Sequence, residues 1–109
     1  MTDDELRVRL ATALGWRPLE VAGQWHITRE YGAKSEVMPS WPTSLDACMR
    51  DLLPPCRELG YRDWMTTTTD DGRYGAVLAE SEGNAVVQHA DTIARAFAEA
   101  CLSCLEAGE

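Results

Sequence analysis

Long apolar runs, basic side chains and histidine are what this sequence has least of. No apolar run approaches the roughly 20 residues that cross a bilayer, so no membrane-spanning helix is expected. The opening residues Met1-Thr2-Asp3-Asp4-Glu5 are acidic where a secretory leader would need a basic start, which points to an intracellular, cytoplasmic protein. Ten Lys and Arg stand against 18 Asp and Glu, a net charge of −8. Such a surface repels phosphate backbones and anionic lipid, which excludes general nucleic-acid binding and membrane docking and leaves basic partners or plain solubility. Repeats, low-complexity tracts and long linkers are also missing. Gly72, Gly75 and Gly83 have neither the spacing nor the strand–helix setting of a nucleotide-binding loop, so no cofactor is expected. His26 and His89 are the two histidines, and neither has an acid–base partner at a recognisable spacing. A surface or capping role is expected for each. Ser44 and Ser103 lack a nucleophile-elbow context, and Asp70-Asp71-Gly72 lacks the alternating ligands of a calcium loop and reads as a hairpin turn. Nothing here assembles an enzyme.

What is present describes one domain over residues 1–109, with enough apolar content (45%) for a sizeable core. Thr2-x-x-Glu5 is a capping box that opens a helix with Leu6, Leu10, Ala13 and Leu14 on one face. Gly15, Trp16 and Pro18 close it. Gln24 to Glu30 alternates as a strand around Trp25 and Ile27, and Tyr31 to Met38 reads as loop. Pro39-Ser40-Trp41-Pro42 then leads to a helix capped by Thr43 or Ser44, with an apolar stripe of Leu45, Cys48, Met49, Leu52, Cys56 and Leu59. Pro54-Pro55 must interrupt it, giving a helix to about Leu53 and a short second piece up to Gly60. Tyr61 to Thr69 and Tyr74 to Glu80 form a hairpin, and Ala85 to Gln88 a short edge strand. A last helix from Asp91 or Thr92 buries Ile93, Phe97, Cys101 and Cys104 or Leu105, and frays at Gly108.

Consecutive hairpin-joined strands among helices make the fold α+β with a mainly antiparallel sheet. Three amphipathic helices exceed what one face of a small sheet holds, so a three-layer helix–sheet–helix (α/β/α) sandwich is expected. The order of Ala13-Leu14-Gly15-Trp16, Pro39-Ser40-Trp41, Ser44-Leu45-Asp46-Ala47, Gly60-Tyr61 and Ala90-Asp91-Thr92, with Ala94, Ala96 and Ala100, resembles the phage ABA sandwich domain proteins. The chain departs from that family at Pro54-Pro55 and in a shortened stretch before the last helix. The resemblance implies the sandwich and a phage or prophage origin, and no established activity.

Trp16, Trp25 and Trp64 are expected to fill the core, with Trp41 partly exposed. Tyr31, Pro39 and Trp41 are therefore the candidate binding residues, since tryptophan is enriched at interface anchors. The competing reading is that Trp41 staples the helix entrance. Cys101-x-x-Cys104 with Cys48 and Cys56 could supply four thiolates to zinc, but all four lie on helix stripes where reduced, buried cysteine packs. Three functions follow: a protein that binds a host protein, an oligomer that sequesters a small ligand between subunits (a nucleotide only if Arg29, Lys34, Arg62 and Arg73 converge), and a zinc–cysteine protein.

Overall fold

Helix α1 (Asp3–Ala13) begins where the sequence places it, with the Thr2 hydroxyl accepting the Glu5 amide at 3.1 Å. It ends in a Schellman turn: Gly15 sits at φ +80°, its amide reaching the Thr12 carbonyl and the Trp16 amide the Ala11 carbonyl. The computed structural model describes residues 1–30, 32, 34–80 and 83–107.

Two strands follow, β1 (Arg17–Val21) and β2 (Gln24–Thr28), of which the first is unanticipated by sequence. Pro18, which stops the helix, is tolerated because β1 is an edge strand. Ala22 and Gly23 both have positive φ, the two-residue turn that matches the twist of a tight hairpin. Two residues, β3 (Glu36–Val37), complete a first antiparallel sheet in the order β1-β2-β3. A short 3₁₀ turn over Trp41–Thr43 leads to α2 (Leu45–Asp51), capped by Ser44 rather than Thr43. The break falls at Leu52, and α3 (Leu53–Glu58) takes Pro54 and Pro55 into its first turn, where no amide donor is missed. The prolines thus start a helix rather than merely ending one.

Strands β4 (Tyr61–Thr68), β5 (Tyr74–Glu80) and β6 (Ala85–Ala90) form a second antiparallel sheet in that order, and β6 is longer than the expected Ala85–Gln88. Helix α4 (Ile93–Ala107) begins with the Thr92 hydroxyl accepting the Arg95 amide at 3.2 Å. The expected fraying point, Gly108, lies outside the described residues. Phe97, Cys101, Cys104 and Leu105 are buried as expected, while Ile93 is only half-buried.

The α+β class and the antiparallel strands are as anticipated. Where one sheet is expected there are, among the described residues, two, packed with four helices. Helix α4 is the hub: it lies on β5 and β6 and also meets α1, the 3₁₀ turn, α2 and α3. Ala94, Ala96, Ala98 and Ala100 are buried along it, small enough to admit close neighbours on several sides. It covers one face of the second sheet, that of Trp64, Leu78 and Val86. The opposite face, with Met65, Val77 and Val87 in one row, is left open by the described residues.

Candidate functional site

The segment from Pro39 to Ala47 is tied down from several directions. Trp41 is fully buried, correcting the expectation of a half-exposed ring. Its indole N–H donates to Asp51 Oδ2 at 3.0 Å, the kind of partner a buried tryptophan requires. Trp16 packs against it with ring centroids 6.0 Å apart, and the Arg29 guanidinium lies 4.3 Å over Trp16. Arg29 also donates to Asp51 Oδ1 at 3.3 Å, and Arg50 adds bonds of 3.1 and 3.0 Å to the two oxygens. From α1, Arg7 reaches the carbonyls of Met38 (2.6 Å) and Pro39 (3.2 Å). Burial alone would push the Asp51 carboxyl up; the bonds from Arg50, Trp41 and Arg29, with the Arg29 charge, outweigh it and hold the group below the usual carboxylate range.

This arrangement decides between the two readings of Trp41: it anchors the helix entrance from inside the core. Trp64, expected in the core, instead sits at its margin, 39% exposed with one edge against Phe97 at 5.6 Å, while Trp16 and Trp25 are half-buried. Pro39 lies on the rim of an open groove of about 570 Å³, with Arg29, Glu36, Val37, Arg50 and Asp51. Tyr31 falls outside the described residues. Sequence reasoning missed Asp51; its signal is a carboxylate three residues after Cys48, beside the apolar stripe of α2 and within reach of a tryptophan needing an acceptor.

The four thiols are free and buried, and they occupy two places. The Cys48 thiol is directed at the carbonyls of Trp41 and Ala94, the Cys56 thiol at that of Cys101. Ala94 and Cys101 are seven residues apart on α4, about 10 Å along its axis, too far for one four-thiolate centre. Burial and the nearby Asp51 charge push the Cys48 thiol up to about 12. Hydrogen bonding between Cys56 and Cys104, along with burial, raises Cys104 as well. Thiols held protonated in this way are poor nucleophiles and metal ligands. Among the described residues no three His, Cys, Asp or Glu are placed to hold a metal ion.

His26 contacts the Gln24 carbonyl at 3.2 Å, and neither histidine has a carboxylate partner among the described residues. Arg62, in the irregular stretch of β4, and Arg73, just before β5, sit at opposite ends of one hairpin, roughly 20 Å apart at strand rise, so the four basic residues do not converge.

The outer face of the second sheet is an open apolar surface, as is the Leu19–Val37 side of the first sheet. Met65 and Val87 are 54% and 50% exposed and flank Val77 across the strands. Beside this row, Thr67 and His89 close over Gly75: a Cβ on Gly75 would fall 2.6 Å from Thr67 Oγ1. On its other side lie Asp63, Ala79 and Ala85. Small residues at Gly75, Ala79 and Ala85 keep the face flat, and Asp63 carries the one formal charge in these three rows of paired residues. Sequence reasoning placed these strands between helices and so missed the face.

These features define a small α+β protein with two antiparallel sheets, the second of which is covered on one face by helix α4. No family model matches the chain, and no curated protein sequence matches it. Its fold is similar to that of a phage protein from Bacillus cereus ATCC 14579, with a TM-score of 0.67 over 95% of this chain and 92% of that one, at 16% identity. No helix among the described residues is long and apolar enough to cross a membrane.

Proposed function

We propose that the chain is a phage or prophage accessory protein, without enzymatic activity, that acts in the bacterial cytoplasm by binding a host protein through the outer face of its second sheet. The single observation carrying this reading is the open row Met65–Val77–Val87 on a flat face with one charge in its three paired rows. Apolar surface left open beside the Asp63 carboxylate is what a protein partner with an apolar contact and a basic group at its edge would cover. The fold shared with the Bacillus cereus phage protein supports the phage setting. The paired or inert state of Asp51 and the cysteines supports binding over catalysis. Tagged protein incubated with lysate of the bacterial host should retain a reproducible partner at low salt, and the Met65→Asp variant should lose it while wild type keeps it. Retention of nothing, or of the same partner by both forms, refutes the proposal.

A second reading, a small anionic ligand sequestered between subunits, is favoured by Arg29 and Arg50 standing beside Pro39 in the open groove. It ranks behind because both guanidinium groups already serve Asp51, and Arg29 also serves Glu36. Native mass spectrometry of protein from infected cells would reveal such a ligand as excess mass.

A further inference from the structure

Among the described residues four strands lie at sheet edges, and three of them are blunted. β1 carries Pro18 between Arg17 and Glu20, and β3 is two residues long. β4 is irregular between Tyr61 and Asp63 and exposes the charged Arg62 and Asp63. Charges, prolines, bulges and shortness are the devices that stop an edge from pairing with another chain. β6 has none of them. It runs for six residues without proline, in an unbroken register against β5, and Gly83 to Ala90 carry no formal charge in a chain with 28 charged side chains. Arg73 donates to the His89 carbonyl at 3.3 Å, an exposed contact that pairing along this edge would exchange for a backbone amide.

We infer that β6 is the pairing edge for a second copy of this chain, joined antiparallel about a two-fold axis near Val87 into one six-stranded sheet. Charge permits a second copy at this edge. Two copies at −8 each repel over most of their surfaces, and this edge lets them meet without bringing carboxylates together. The pairing is self-complementary: with Val87 opposite its symmetry mate, Val86 faces Gln88 and Ala85 faces His89, with no charge in any pair. It also joins the two Met65–Val77–Val87 rows into one apolar band across the extended sheet. An edge of six residues, about 20 Å long, gives a small interface, so the dimer should form at tens of micromolar. The inference stands apart from the host-binding reading, because its test uses the purified chain alone.

Sedimentation or light scattering over about 10 to 200 µM should show the mass rising from 12.1 kDa toward twice that value. Val87→Lys, at an exposed position, should retain the folded circular dichroism spectrum and weaken association at least roughly tenfold. The four natural thiols are buried, so an introduced cysteine is the accessible one. Val87→Cys should cross-link into a dimer under mild oxidant, whereas Met65→Cys, on the far edge of the same row, should link at about a tenth of that rate or less. A monomer throughout the range, undiminished association of Val87→Lys, or equal linking by Met65→Cys (the mark of face-to-face packing) would each overturn the inference.

Discussion

Replacing Asp51 by asparagine keeps the shape of the side chain and removes its charge, which isolates what the carboxylate does. Four hydrogen bonds converge on it, from Trp41, Arg29 and twice from Arg50. Asparagine has one oxygen to keep the Trp41 bond, and its amide then presents donors to arginine donors, so about half of the set is lost. Removing one member of a fully buried ion pair costs about 3–5 kcal/mol. Here the Arg29 and Arg50 side chains are 34% and 64% exposed and can turn to water, which lowers the cost to about 2 kcal/mol. For a chain of this length that is a fall of roughly 8 °C in Tm. Urea unfolding followed by tryptophan fluorescence measures it directly. The pH dependence supplies the sharper check. Since the folded carboxyl is held below its unfolded value near 3.9, its contribution is complete above about pH 4 and is lost as pH falls through the lower folded value. The difference between wild type and Asp51→Asn should therefore shrink in that acid window. A cost below about 0.5 kcal/mol at pH 7, or a cost independent of pH, would refute the view that this ion cluster anchors Trp41.

Gly75→Ala should destabilise by about 1–3 kcal/mol because its Cβ meets Thr67 Oγ1, and adding Thr67→Ala should recover most of the loss; equal denaturation midpoints for wild type and Gly75→Ala would defeat the argument. The buried Cys48 thiol has a folded pKa raised to about 12, so its share of stability is complete below about pH 8.5 and is lost as pH climbs toward 12. Cys48→Ala should make the alkaline decline shallower by up to about 1.4 kcal/mol per pH unit; parallel curves for the two proteins between about pH 9 and 11 would contradict this.

Local chemistry made much of this fold readable. Thr2, Gly15, Ser44 and Thr92 act through hydrogen bonds spanning a few residues, so the starts of α1, α2 and α4 and the end of α1 follow from neighbours in sequence. The Pro54-Pro55 break and the β4–β5 hairpin are legible for the same reason. β1 was hidden because Pro18 signals a helix stop equally well in a loop or on an edge strand. The site was harder to see. Trp41 among prolines looks like an exposed anchor until Asp51, ten residues on, and Arg29, twelve residues before, are brought to it. Periodicity cannot distinguish a strand covered on both faces from one covered on a single face when its residues are small, as Gly75, Ala76 and Ala79 are.

The sequence by itself determined the class of fold, the helix ends and the placement of the cysteines on packing stripes, because each rests on short-range hydrogen bonding or on spacing along one element. Only the tertiary structure decided that the strands divide into two sheets, that Trp41 lies inside, and that Met65, Val77 and Val87 face outward. The last two outcomes depend on where α4 lies, against the 3₁₀ turn and on one face of the second sheet, and a single helix of 15 residues can cover one face of a sheet but not both.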